Sequence, residues 1–165
     1  MRWIVYFILA YVAIGLQAGL APFLTWNGAS PNFVLLAVIF IAINAPREPA
    51  LLGAFMLGML QDLMTTQGLG VYAFSYGLAA MFTISTQEVV YREHPLTHFT
   101  LGLVTGISTA VMLVLHASAP WLHASTPLKG PFITAILTAI AAPFVLGILQ
   151  KFKRVFAFKV ERRRF

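Results

Sequence analysis

One carboxylate, Asp62, stands inside the long apolar stretches of this 165-residue chain, beside a turn that contains Thr65, Thr66, Gly68 and Gly70. An ionisable group at the end of a membrane span is costly unless it is paired, hydrated or functional. Three roles fit it: a proton or cation site, a charged anchor for a partner helix, or a local structural acceptor. In the structural role it takes hydrogen bonds from nearby backbone N–H groups and from Thr65 or Thr66, or caps the next span, as Asp close to Gly and Thr commonly does. Proton relays use several buried acids or histidines, and no second acid lies in an apolar run here. The balance favours structure or assembly over ion chemistry.

Other reactive residues form no constellation. His94 and His98 are four apart, the spacing that puts two zinc ligands on one helical face, but Pro95 intervenes and HExxH is absent. His116 and His123 fall on the opposite side of the membrane in the span layout below. Ser75, Ser85, Ser108 and Ser118 lack a GxSxG context, and Gly68-Leu-Gly70 is too little for a phosphate loop. No enzyme, metal or cofactor is expected. Without cysteine there is no disulfide, thiol nucleophile or iron–sulfur site.

The elements that must position Asp62 follow from composition. Hydrophobic residues make up 59% of the chain and charged residues 10%, against roughly 25% charged in ordinary soluble domains. This predicts an all-α polytopic membrane protein of one domain. A six-helix bundle is expected, with spans over about 3–20, 31–45, 50–64, 68–86, 99–116 and 131–150 and a basic tail over 151–165. The first run is longer than a signal-peptide core, and Pro22 disfavours cleavage after Ala21, so it is read as a retained span. The second run is too short to cross about 30 Å of hydrocarbon alone. Either its helix begins before Pro31 and is kinked there, or it is a tilted, partly broken span. Pro46 and Pro49 are expected to form a hard turn.

Net charge is +6, and seven of the eleven basic residues occupy the last fifteen positions. That block predicts a cytoplasmic anchor meeting anionic lipid or an acidic partner, through Lys151, Lys153, Arg154, Arg162, Arg163 and Arg164, and not nucleic acid. With both termini cytoplasmic, ten basic residues lie inside and only Lys129 outside. Asp62 then sits at the outer face. Ala54, Gly58 and Asp62 recur every four residues and share one helical face. Gly70, Ala73 and Gly77 form a second small-residue stripe, and Gly102 with Gly106 a GxxxG pair, both suited to close helix packing.

These residues resemble those of the MreD family of bacterial rod shape-determining proteins. The likeness covers the span layout and is sharpest from Pro31 to Gly77. Pro31-Asn32 opens an apolar span where the family has Pro-Asp. Pro46-Arg47 matches a polar turn, Gly58 and Asp62 a Gly-x-x-x-Asp span end, and Leu69-Gly70 the start of the next helix. Asn32 in place of Asp puts a charged role there in doubt, and Gly68 in place of the usual proline implies a looser turn. The resemblance implies a non-enzymatic inner-membrane scaffold of the cell-elongation complex. Such a scaffold binds MreC, links MreB filaments to peptidoglycan synthesis, and contacts RodA and the elongation-specific penicillin-binding transpeptidase. Family members also look similar in fold to the substrate-binding subunits of energy-coupling-factor transporters. The rival expectation is therefore a small-molecule-binding subunit of a vitamin-type transporter, with a pocket near Asp62, Trp26 and Trp121. A proton-coupled carrier would need more buried titratable groups than the sequence holds.

Overall fold

An apolar run with no polar face is stable only where apolar groups surround it, and the run after Asn32 meets that condition. The computed structural model describes residues 3–65, 69–86, 94–117 and 129–152. Within these, the α-helices are α1 (Trp3–Gly19), α2 (Phe33–Asn44), α3 (Arg47–Met64), α4 (Val71–Thr86), α5 (Pro95–Ala117) and α6 (Lys129–Lys151), with a 3-10 turn at Ala21–Leu24 after α1. Every residue of α2 from Phe33 to Ile43 is buried. The other five helices all pack against it, so α2 is the axis of the bundle.

Neighbouring helices run in opposite directions. Gly58 of α3 meets Ala73 of α4, and Gly102 and Gly106 of α5 meet Ala139 and Ala135 of α6. Toward the Arg47 end of α3, Gly53 faces both Tyr6 of α1 and Ile41 of α2. Between α1 and α2, an Asn27-Gly28 turn with both residues at positive φ closes Trp26 onto Ala29. Those dihedrals are what a two-residue reversal demands, and Asn-Gly supplies them at low cost.

The polarity of the bundle is that of a protein in lipid. Phe7 and Tyr11 on α1, Phe74 on α4, Ile107 on α5, and Ile140 and Phe144 on α6 point outward, while Thr83, Thr105, Thr109 and Thr138 are buried. The buried hydroxyls donate to carbonyls one turn back, as Thr83 does to Ala79 at 2.8 Å and Thr105 does to Leu101 at 2.6 Å. Self-satisfaction of this kind suits a medium without water. Helices α5 and α6 are long and apolar enough to cross a membrane, and α1, α2 and α4 are shorter apolar helices.

Three helix starts differ from the sequence reading because proline fits the first turn of a helix, whose N–H groups have no intrahelical acceptor. Helix α3 starts at Arg47 rather than near residue 50, with Pro46 at its N-cap and Pro49 in its first turn. The two prolines therefore begin the helix instead of forming a turn outside it. Helix α5 starts at Pro95 rather than at residue 99, and α6 at Lys129 with Pro131 in its first turn. Helix α4 starts at Val71, after the positive-φ Gly70. Of the two readings of the second run, the kinked one does not hold: α2 begins after Pro31 and runs without a break from Phe33 to Asn44. Its twelve residues rise only about 18 Å.

Candidate functional site

The two sequence-marked polar positions, Asp62 and Asn32, each solve the same problem: a helix that starts inside the protein exposes N–H groups with no intrahelical acceptor. Helix α4 follows Gly70, which has no side chain to cap it. Asp62, at the end of α3, does so instead. Its Oδ2 accepts from the N–H of Gly70 at 2.9 Å and of Ala73 at 3.1 Å, and its Oδ1 accepts from the N–H of Tyr72 at 2.8 Å. An N-cap side chain ordinarily reaches the second or third helical N–H; this carboxylate reaches both from eight residues or more away. It also places negative charge at the positive end of the α4 dipole. Only 3% of Asp62 is exposed, and both of its oxygens are engaged.

Gly58 makes this reach possible. A Cβ placed there would lie 2.6 Å from the Tyr72 carbonyl oxygen and 2.7 Å from the Ala73 nitrogen, and closer still to the Ala73 Cα. One turn later on the same face, Asp62 meets the backbone that Gly58 admitted. The four-residue repeat read from the sequence is thus one contact surface, on which Ala54 is also buried.

Asn32 is the N-cap of α2, and bonds from Asn32 and Phe33 join three other helices to it. Its side-chain oxygen accepts from the Leu35 N–H at 2.9 Å, and its amide nitrogen donates to the Tyr76 hydroxyl of α4 at 2.7 Å. Its backbone N–H donates to Thr138 Oγ1 of α6 at 2.8 Å, and the next N–H, of Phe33, donates to Gln17 Oε1 of α1 at 2.8 Å. Tyr76 is four residues from Tyr72, and the two rings meet edge to face with centroids 5.6 Å apart. The two capping sites are therefore adjacent along α4. Pro31, also buried, delivers the chain into this node. Gln17, Tyr76 and Thr138 were not singled out as site residues; a hydroxyl or amide in an apolar run carries no signal of which distant N–H it will meet.

The remaining sequence candidates separate by contact. A Cβ on Gly102 would lie 2.8 Å from the Ala142 Cβ, and one on Gly106 would lie 3.1 Å from the Ala135 Cα, so both belong to the α5–α6 seam. A Cβ on Gly77 would meet nothing within 4 Å, and Gly77 stands apart from the close packing of this chain. Gly70 acts through its backbone, at φ +102° with its N–H on Asp62. Leu69 beside it is exposed and free for an outside contact. His94 is exposed at the start of α5 and accepts from the Leu96 N–H at 3.3 Å, whereas His98 is buried one turn on. Among the described residues, no three His, Cys, Asp or Glu side chains gather as metal ligands would. Lys151 is exposed at the end of α6. Lys153, Arg154, Arg162, Arg163 and Arg164 lie outside the described residues, as do Thr66, Gly68, Ser118, Trp121 and His123.

The arrangement is a set of helix caps and close crossings, with polar groups joined to one another inside an apolar exterior. No curated protein and no solved structure matches the chain. A family model described as rod shape-determining protein MreD matches residues 1–152. That match runs through all six helices and both capping sites, and the chain belongs to the MreD family of membrane proteins that determine rod shape.

Proposed function

We propose that this protein is a non-enzymatic scaffold of the cell-elongation complex in the bacterial inner membrane. It binds MreC, couples MreB filaments to peptidoglycan synthesis, and contacts RodA and the elongation-specific transpeptidase. The family match over residues 1–152 carries the reading. The engagement of Asp62 and Asn32 by backbone groups supports it, because the polar residues of the interior hold helices together and leave no carboxylate oxygen unengaged at Asp62. Both termini are assigned to the cytoplasm. Arg47 and Lys151 stand at the same end of the alternating bundle and Lys129 at the other, the distribution expected when basic residues stay inside.

The rival reading, a vitamin-binding transporter subunit, calls for a pocket of roughly 300–1,000 Å³ with convergent polar groups. Among the described residues, the cleft lined by Asn32 and Tyr72 beside α5 and α6 encloses about 20 Å³, and the groove of about 430 Å³ between α1 and α6 is lined by apolar side chains alone. Trp26 is exposed rather than gathered toward Asp62. Both observations weigh toward the scaffold.

Co-purification with MreC tests the proposal. Wild-type protein retains MreC through affinity capture in mild detergent, and Gly106→Leu, which wedges α5 from α6, loses most of it. Asp62→Ala weakens retention in proportion to the loss of folded protein. A correctly inserted, folded wild type that never retains MreC removes the core of the scaffold reading.

A further inference from the structure

Contacts between the helices fix how their ends line up across the membrane. Helix α3 registers with α2 where Gly53 faces Ile41. Helix α2 registers with α6 where Thr138 Oγ1 accepts from the Asn32 N–H at 2.8 Å. With the Asp62 end taken as up and about 1.5 Å per residue, Arg47 lies about 9 Å below the level of Gly53 and Lys151 about 6 Å below it. The two helices are nearly flush there. At the Asp62 end they part: Met64 of α3 stands about 16 Å above Gly53, and Lys129 of α6 about 27 Å. Helix α4 begins no higher than α3 ends, because Gly58 meets Ala73 and sets Val71 only about 10 Å above Gly53. The α3–α4 pair thus stops about 10 Å short of α6, and about three-quarters of that step survives even a helix tilt of roughly 40°.

The exposed apolar surface repeats the step. Along α6 and the residue after it, exposed apolar side chains run from Phe132 to Phe152, about 30 Å and the thickness of a hydrocarbon core. On α3 they run from Leu52 to Met64, about 18 Å. We propose that the bilayer is thinned beside α3 and α4, in the leaflet at the Asp62 end, so that headgroups reach down to the turn that Asp62 caps. A span shorter than the hydrocarbon core draws the bilayer in. Lipid is selected over a partner helix by the residues that α3 turns outward. Leu52, Phe55, Met59 and Leu63 are exposed, whereas Gly53, Ala54 and Gly58, the small residues that membrane helix contacts use, all face inward. The Asp62 carboxylate, costly in hydrocarbon, also gains from headgroups and water close above it. The inference needs a membrane-spanning chain and not the scaffold reading, so either can fail alone.

The chain has no cysteine, so spin labels at single introduced cysteines read depth in nanodiscs of phosphatidylethanolamine and phosphatidylglycerol. The readout is relaxation by a water-soluble nickel chelate against relaxation by oxygen. Leu52→Cys and Leu63→Cys bracket α3, about 16 Å apart. Their depths, each taken from the nearer headgroups, add to about 14 Å in a flat core of about 30 Å and to about 4 Å beside the step. Tilting the whole bundle moves depth from one label to the other and leaves the sum. Phe132→Cys and Ile148→Cys on α6 are about 24 Å apart and give about 6 Å with no thinning. The expected result is a sum near 4 Å on α3 beside one near 6 Å on α6. A sum near 14 Å on α3 overturns the proposal. So does a Leu63 label shielded from both reagents, as a protein contact would shield it. Where Leu63→Cys misfolds, Leu69→Cys on the exposed turn decides. Its label then lies within a few Å of the headgroups or, against the proposal, about 10 Å beneath them.

Discussion

Asp62 is an acceptor shared by three backbone donors, and its chemistry is that of a cap set at a distance. Buried donors left without a partner cost about 1–3 kcal/mol each. Asp62→Ala strands the buried N–H of Ala73 and removes the acceptor of the part-buried Gly70 and Tyr72 N–H groups, so it lowers stability by about 1–3 kcal/mol, read from thermal unfolding in detergent. Asp62→Asn is intermediate. Its one remaining carbonyl oxygen can accept, but its NH2 group faces a backbone N–H. A lone acid beside Gly and Thr without a second acid is compatible in sequence with local bonding or with a partner contact, and the structure shows the local bonds. The sequence pattern did not specify which N–H groups were met, because Gly70 and Ala73 come within reach only once α3 and α4 have crossed. Asn32 shows the same limit. Its amide bonds to Tyr76 from 44 positions away, a pairing that no local pattern encodes. The family's aspartate at this position could take the same bonds with Tyr76 as donor, so the cap survives the exchange.

At the scale of elements, small residues at helical spacing mark close crossings only where another backbone is present. Gly58 and Gly77 look alike in sequence, each on a stripe of small residues, and differ in what stands opposite. Gly58→Ala drives a methyl group into the backbone of α4, which cannot yield as a side chain would, and overpacking of this kind costs about 1–3 kcal/mol. Because the displaced segment is the one Asp62 caps, Gly58→Ala and Asp62→Ala are expected to be non-additive in a double-mutant cycle. Gly77→Ala meets open space within a helix and raises stability by up to about 1 kcal/mol through helix propensity. Thermal midpoints of the single and double variants check all three expectations. Helix number and order were legible from the apolar runs. The starts were less so, because Pro49, Pro95 and Pro131 look like breakers but occupy first turns, and Pro46 stands at an N-cap.

For the whole molecule, hydropathy announced a membrane bundle but gave no hint that its second apolar run was the axis. A run without a polar face reads equally well as a span in lipid or a helix in protein, and only its length, short of a bilayer, set it apart. The consequence is that α2 depends on its neighbours for every contact and for the groups that receive its first N–H bonds. Thr138→Val keeps the shape of α6 but removes the acceptor for the Asn32 N–H, and a loss of about 1–2 kcal/mol is expected. Faster hydrogen exchange confined to the first turn of α2 is the matching local signature.

The bond from Asn32 to Thr138 joins residues 106 positions apart. During synthesis the second helix leaves the ribosome long before the sixth exists, and until then its entrance is without one of its partners. The chain therefore completes its centre last: the first apolar segments can be threaded into the membrane in order, but the axis is locked only when the final helix arrives.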